Sequence, residues 1–360
     1  MSWKDRANPA AGGAELLSDA IMERLARAGH TVTLLTSNFP GGAREEVVRG
    51  YNVRRMGSRY TVYSAVYQYY RTHLRNSADL IIDEMNTVPF FASFYARKPV
   101  YLFVHQLARE IWFYEMPFPL SLAGYLAEPA YLWALRKTPA ITVSSSSARD
   151  LARYGFRELS LVSEGIELAP VRSLAEIKKA PQPTLLSLGS LRPMKRALDI
   201  VHAFELAKRE LPALTLVVAG DGEGSYAARV KRAMRDSPHA DAIRYEGRVS
   251  AERKRALMRE AHAIAVASVK EGWCMAVTEA ASQGTPAAVY DVDGLRDSVK
   301  DGVTGILAKE NSPQGLARAI VELFRRSAYA ELQERAWEWS RSITFDRSYH
   351  DFMSVVQKNA

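Results

Sequence analysis

One cysteine, Cys274, stands in a chain of 360 residues. That number excludes a disulfide framework and any cysteine-rich metal site, and it fits a cytoplasmic location. No run of about eighteen apolar residues occurs, so no transmembrane helix is expected. The first residues, Met1-Ser2-Trp3-Lys4-Asp5-Arg6, lack the apolar core of a signal peptide. No H-E-x-x-H pair, no paired-cysteine motif, no G-x-x-x-x-G-K-[ST] loop and no G-x-S-x-G elbow is present, and Gly12-Gly13 does not complete a dinucleotide fingerprint. The common hydrolase, kinase and dehydrogenase readings fall with them. Repeats and low-complexity tracts are also missing. The net charge of +8 is not gathered into one block: Lys195-Arg196, Lys231-Arg232 and Arg253-Lys254-Arg255 are scattered among acids. No nucleic-acid recognition module accompanies the charge, so no nucleic-acid partner is expected. A basic face toward anionic lipid, or ordinary solvated helix faces, accounts for it.

What is present is an ordinary globular composition, 48% hydrophobic and 24% charged. The length suits two domains of about 150–200 residues each. Strand-like apolar runs alternate with helix-length amphipathic segments, which predicts βαβ units with parallel sheets, an α/β fold. The strand candidates of the first half are Thr31–Thr36, Leu80–Asp83, Val100–His105, Ala140–Ser144 and Leu159–Val162. Those of the second are Thr184–Leu188, Leu214–Ala219, Ile243–Glu246, Ala263–Ala267, Ala287–Tyr290 and Gly305–Leu307. Ala14–Ala28 reads as a helix with Leu17, Ile21, Leu25 and Ala28 on one face. Glu164 to Pro183 interrupts the alternation with Pro170, Pro181 and Pro183 and reads as a linker. Domains of residues 1–168 and 169–342 follow, with a tail of 343–360 packing back on the first. Trp337 and Trp339 in the last long helix read as core.

The most informative stretch is Glu271-Gly272-Trp273-Cys274-Met275-Ala276-Val277-Thr278-Glu279. A buried-strand run precedes it and a helical run, Val277 to Ser282, follows. Glu271 is thereby delivered to a loop at a strand's carboxyl end, and Glu279 to an early helix position. Ligands bind at that edge of open α/β sheets. A carboxylate pair beside free helix-start amides can hold the hydroxyls of a sugar nucleotide while the amides face its phosphates. Alone, such a pair is more often solvated surface charge. Ser187-Leu188-Gly189-Ser190-Leu191-Arg192-Pro193-Met194-Lys195 places a glycine and then flexible cations after a strand, which is either a phosphate grip or a basic loop. The glycines of Gly220-Asp221-Gly222 read as turn formers. His105 ends an apolar run, as a structural histidine or a partner of a sugar hydroxyl. Trp112 to Leu120 is too aromatic and proline-rich for a simple helix. It reads equally as an acceptor loop or membrane-dipping lip and as a buried packing loop. Ala10-Ala11-Gly12-Gly13-Ala14-Glu15 is a glycine-rich loop entering a helix, yet no apolar strand precedes it.

Taken in order, these motifs resemble glycosyltransferase family 4, the retaining enzymes of GT-B fold. The resemblance covers nearly the whole chain: Gly12-Gly13-Ala14-Glu15, His105, Val143-Ser144 with the helix from Ala148, Glu164-Gly165-Ile166-Glu167, Gly189 to Lys195, Gly220-Asp221-Gly222, Glu271 to Pro286, and Asp301-Gly302-Val303-Thr304-Gly305. It implies two Rossmann-like β/α/β domains facing each other across a cleft, the first for an acceptor and the second for a nucleotide sugar. Glu279 would hold the ribose, Glu271 the donor sugar hydroxyls and Lys195 the diphosphate, with Gly189, Ser190 and Arg192 beside it. The amides near Gly12 and Gly13, and those of Gly272, Trp273, Cys274 and Met275, would contact phosphate or sugar. His105 would lie beside the donor sugar. No cofactor and no metal are implied.

The implied activity is retaining transfer of a hexosyl-like group from a nucleotide-diphosphate sugar to a glycan or lipid-linked acceptor, in cell-surface polysaccharide synthesis, at the inner face of the membrane. A silent GT-B protein that binds a nucleotide sugar or partner, or a GT-B sugar-nucleotide epimerase, would share these motifs. Four departures stand out. Ser190 replaces the usual arginine, Cys274 the second glycine of the Glu-Gly-aromatic-Gly turn, and Glu164 an asparagine. The strand that normally precedes the Gly-Gly loop is largely absent, which predicts two neighbouring ladders left open.

Overall fold

Two doubly wound α/β units make up the computed structural model, which describes residues 1–325 and 329–358. Unit 1 is Met1–Gly165 with Thr344–Ala360, and unit 2 is Ile166–Ile343.

In unit 1 the strands are β1 (Thr33–Thr36), β2 (Glu45–Val48), β3 (Tyr51–Arg55), β4 (Ile81–Met85), β5 (Val100–Val104), β6 (Ala140–Thr142) and β7 (Leu159–Leu161). Its helices begin with α1 (Gly13–Arg27), α2 (Val62–Tyr69), α3 (Ile111–Glu115), α4 (Leu120–Leu135) and α5 (Ser145–Arg153). The expected strands appear within a residue or two of their predicted ends. The pair β2–β3 was not expected; it is an antiparallel hairpin whose β3 then runs parallel to β1. The ladders run β2-β3-β1 and β4-β5-β6-β7.

Between β1 and β4 lie residues 1–3. Ser2 N–H donates to Leu35 O at 3.0 Å and Ser37 N–H to Trp3 O at 3.4 Å. On the other side, Glu84 N–H donates to Met1 O at 2.9 Å. The expectation of two open ladders is therefore corrected. A three-residue segment pairs with both neighbours through its backbone, and backbone pairing needs no apolar run.

Unit 2 holds β8 (Thr184–Leu188), β9 (Thr215–Ala219), β10 (Ile243–Gly247), β11 (Ala263–Val266), β12 (Ala287–Tyr290) and β13 (Gly305–Ala308). The helices are α6 (Ala197–Lys208), α7 (Gly224–Arg235), α8 (Ala251–Glu260), α9 (Met275–Ser282), α10 (Leu295–Ser298), α11 (Pro313–Arg325) and α12 (Tyr329–Ser340). All pairs are parallel and the order is β10-β9-β8-β11-β12-β13. The order in which successive strands are laid down reverses between β8 and β11, and the crevice beyond their carboxyl ends is where such sheets take ligands. Residues of β11 and β12 are buried throughout, as the uninterrupted apolar runs require of a sheet covered on both faces.

The proline-bearing segment read as a linker is largely docked on unit 2. Val171 N–H donates to Ser282 O, and Lys179 Nζ fans out to Ala261 O, Gly284 O and Thr285 Oγ1 at 2.5–2.8 Å. Burial brings this amine down to about 7. Trp337 is half-buried and donates its indole N–H to Val171 O at 2.9 Å. The chain then closes with α13 (Phe345–Gln357), capped by Thr344 and packed against α1 in unit 1. Among the described residues no helix is long and apolar enough to cross a membrane.

Candidate functional site

The loops after β8 and β11 meet at the switch point of unit 2. The β8 loop leaves through Gly189, whose φ of 149° lies in the range that favours glycine. It must also pass close to the β9 loop, where a Cβ on Gly220 would stand 2.0 Å from Gly189 O. This close approach explains the glycines that the sequence suggested were turn formers. Arg192 donates through Nε to Ser190 Oγ at 3.0 Å. Pro193–Lys195 makes a single tight turn, and Val269 N–H donates to Met194 O at 2.9 Å, tying the β8 loop to the β11 loop.

That tie brings Lys195 onto Glu271. Nζ lies 2.5 Å from Oε1, and Ser268 Oγ donates to the same oxygen at 2.6 Å. Burial works to lower the lysine's pKa, but Glu271 outweighs it and the amine is held above its ordinary value. Glu271 is itself fixed from behind: its N–H donates to Asp293 O at 3.0 Å, and Gly294 packs so closely that a Cβ there would meet Glu271 O at 2.3 Å. The result is a cation and a carboxylate side by side at the mouth of the crevice, the lysine still partly accessible.

Gly272 and Trp273 lead into α9, with Trp273 lying 6.1 Å from the Trp339 ring. Cys274 precedes the helix at φ 79° and ψ 75°, the left-handed region that glycine occupies without a Cβ clash. Burial pushes its thiol up to about 12, with Glu271 adding to the shift and Lys195 opposing it. Replacing Cys274 with Gly is expected to stabilise unit 2 by about 1 kcal/mol, the backbone strain relieved less the entropy glycine loses on folding. Cys274→Val is expected to destabilise it. Denaturation of the two variants checks this, and a glycine variant that unfolds more easily than the parent would show the turn to be unstrained. Met275 opens α9, and Glu279 lies one turn further on. Burial raises the Glu279 carboxyl, opposed by Lys254 of α8, whose Nζ is 2.5 Å from Oε2.

In unit 1, α1 starts at Gly13, and Gly12 N–H donates to Glu15 Oε2 at 2.6 Å. Glu15 Oε1 accepts from Asn86 Nδ2 at 3.0 Å. His105 follows β5, buried and stacked on Phe103 at 4.5 Å. Its Nε2 is 3.6 Å from Glu84 Oε1, and Glu84 also accepts from Ser18 Oγ. Beyond His105 the chain is held by Glu128 of α4, which is fully buried. It accepts from Ala108 N at 2.8 Å, Arg109 N at 2.6 Å and Trp112 Nε1 at 3.1 Å. The aromatic stretch splits accordingly. Trp112 is turned inward on the short α3, while Phe113, Phe118 and Leu120 are exposed.

Lys195, Glu271, Arg192, Ser190 and Gly189 thus come together in unit 2 with the Gly272–Met275 turn. Glu279 lies in the helix that turn begins. Gly12, Gly13 and His105 belong to unit 1. Sequence reasoning missed Ser268, Lys254 and Glu84. Each touches a predicted site residue, and Lys254 was visible only as part of a basic cluster. Among the described residues no group of three or more His, Cys, Asp or Glu side chains is placed to hold a metal ion.

A family model described as Glycosyltransferase Family 4 matches residues 11–169, and one described as Glycosyl transferases group 1 matches residues 174–340. The glycogen synthase of Mycobacterium tuberculosis (strain CDC 1551 / Oshkosh) is 28% identical over 222 residues, 59% of this chain and 52% of that protein. The D-inositol 3-phosphate glycosyltransferase of Geodermatophilus obscurus is 30% identical over 170 residues, 44% of this chain and 38% of its own length. The chain spans about half or less of the length of these curated relatives. Among solved structures, a sucrose-phosphate synthase from Thermosynechococcus elongatus superposes with a TM-score of 0.78 at 18% identity, covering 99% of this chain and 97% of the other. Anabaena HepE in complex with UDP and glucose superposes with a TM-score of 0.72 at 18% identity, covering 99% and 98%. The likeness in fold is to GT-B proteins built of two Rossmann-like domains.

Proposed function

This chain belongs to the glycosyltransferases of group 1 and family 4, and from that premise we propose that it moves a sugar from a nucleotide-diphosphate donor to an acceptor. The observation that carries the proposal is the Lys195–Glu271 pair at the switch point, with Glu279 in the adjoining helix. Breaking the bond between anomeric carbon and phosphate builds negative charge on the leaving diphosphate. Lys195, Arg192 and the first amides of α9 meet that charge as it grows. Glu271 takes the hydroxyls of the sugar and Glu279 those of the ribose. The sugar passes through an oxocarbenium-like state, as in glycoside hydrolysis. In this reading the reaction retains configuration and needs neither metal nor cofactor. In this reading the acceptor binds to unit 1.

The acceptor in this reading is a glycan or a lipid-linked sugar, in polysaccharide synthesis at the inner face of the membrane. Support comes from α4. Its outward positions, Leu120, Leu122, Ala123, Leu126, Ala127, Ala130, Trp133 and Ala134, are all apolar and exposed. Arg136 and Lys137 follow directly, cations suited to anionic headgroups.

Thermal stabilisation by UDP, GDP, ADP and their sugar conjugates tests the donor assignment. A ligand that binds the folded state raises its stability with concentration over Kd. One nucleotide class is expected to stabilise the protein, and Glu279→Ala is expected to weaken that binding about 100-fold, two charge-assisted hydrogen bonds being lost. Unchanged affinity in a folded Glu279→Ala protein would remove the ribose role. A second reading, a silent nucleotide-sugar binder, is favoured by the Cβ of Cys274 at a left-handed position. Donor binding without turnover across a broad acceptor panel would select it.

A further inference from the structure

Three cations stand side by side early in α8, Arg253, Lys254 and Arg255, and they part at once. Arg253 turns to Glu246 at 2.7 Å and to Glu260 at 3.1 Å. Arg255 is exposed. Lys254 crosses to α9, where its Nζ lies 2.5 Å from Glu279 Oε2. The two ends of this pair differ in exposure: the carboxylate side chain keeps 3% and the lysine 31%. A clasp between helices is the plain reading, since Arg259 further along α8 donates to Gln283 Oε1, at the end of α9, at 2.9 Å.

Glu128 shows how a purely structural carboxylate is treated in this chain. Its Oε1 accepts from Ala108 N and its Oε2 from Arg109 N and Trp112 Nε1, so both oxygens are in use. Glu279 is filled on one side only. Lys254 meets Oε2, while among the described residues no hydrogen bond reaches Oε1, which is not sealed from solvent. The lysine is in the same condition. An ammonium has three N–H donors, and among the described residues Glu279 is the one partner of Lys254. Buried carboxylates ordinarily have their remaining lone pairs satisfied. Here an open acceptor and open donors lie next to each other instead.

We propose that Lys254 is a ribose-binding residue: its Nζ, held in place on Glu279 Oε2, donates to the oxygen of one ribose hydroxyl while Glu279 Oε1 accepts from the other. The proposal rests on the assignment of Glu279 to the ribose and divides that task between two side chains. A vicinal diol suits such a pair, because each hydroxyl can either give or take a hydrogen bond. A carboxylate alone would need both hydroxyls as donors. Burial raises the Glu279 carboxyl, Lys254 opposes this and Glu167 adds a smaller push upward, so the lysine also favours the acceptor form of its partner. Glu279→Ala then loses both bonds, since it also lets the lysine go.

Calorimetric titration of the full chain with UDP, GDP and ADP, and with the 2′-deoxy and 3′-deoxy forms of whichever binds, tests this. In the parent each hydroxyl is expected to contribute about tenfold in affinity, the value of a hydrogen bond to a charged group. Lys254→Met keeps the length of the side chain and removes its charge. In that variant one deoxy form should bind as well as the nucleotide itself, and the other should stay about tenfold weaker. Lys254→Arg should keep the parent's pattern. A clasp between helices and nothing more would weaken all the ligands alike and leave both ratios unchanged in Lys254→Met, which overturns the proposal. A ratio that grows there overturns it too, because the lysine would then be blocking Glu279. If the unpaired carboxylate unfolds Lys254→Met, the double variant with Glu279→Gln removes that charge, and one deoxy form should again match the nucleotide. No binding of any of the three nucleotides to a parent that melts cooperatively would remove the proposed function and this proposal together. Binding with unchanged ratios would remove the proposal alone.

Discussion

Lys195→Ala is expected to turn over about 10²–10³-fold more slowly, the cost of removing one preorganised donor from a site where charge develops. The loss belongs in kcat more than in KM, because the diphosphate gains its extra charge as the bond breaks. Removing the lysine also takes the cation from Glu271 Oε1, which still accepts from Ser268 Oγ. Some stability is lost too, though the lysine's partial exposure makes this less than for a fully buried pair. The double variant Lys195→Ala with Glu271→Gln separates the two effects. It should recover the melting temperature of the parent and none of the activity. Steady-state kinetics with the nucleotide sugar found by thermal shift provides the check. Turnover within a few-fold of the parent would move the phosphate role to Arg192.

The second large effect concerns α4. Leu126 and Trp133 are 63% and 61% exposed on the apolar face. Changing both to Glu should weaken binding to vesicles containing one-third anionic lipid by about 100-fold. Each apolar side chain contributes roughly 1.5–3 kcal/mol when fully buried, and partial insertion yields a fraction of that. Stability in water should be unchanged, since neither side chain packs in the core. Co-flotation with vesicles measures it. Equal flotation of parent and variant, or none by the parent, would remove the membrane from the proposed function and leave α4 as a face for another protein.

How much of this was legible in the sequence depended on which physical signal each element leaves. The strands covered on both faces declared themselves by uninterrupted apolar runs: β11 and β12 are buried throughout, and Ala287–Tyr290 was predicted to the residue. The hairpin β2–β3 left no such trace. Its first strand, Glu45-Glu46-Val47-Val48, is a half-exposed edge. It turns through Arg49 and Gly50, both at positive φ, where the strong hairpin signal would have been Asn-Gly. Residues 1–3 join the sheet through backbone hydrogen bonds and pack only Met1 and Trp3 against the core, too short a segment for periodicity to register. In the site, Glu271 and Lys195 were readable because strand ends deliver them to one edge. Their neighbours were not: Lys254 reaches Glu279 from another helix, and Glu84 reaches His105 across a strand boundary. Such contacts depend on the order of strands in the sheet, which is not encoded near either residue.

The packing of α13 on α1 has a consequence for the order in which the molecule is made. Helix α13 buries Phe345 and Phe352, and its Asp346 reaches back to Arg24 Nε at 2.7 Å. Unit 1 is therefore unfinished when its first 165 residues emerge from the ribosome, and it stays so while all of unit 2 is translated. At ordinary synthesis rates that is a delay of roughly 10–40 s. Throughout it the face of α1 that α13 covers stands open to solvent and to chaperones. Unit 2, continuous in the chain, can complete first, so of these two units the one begun earlier is finished later.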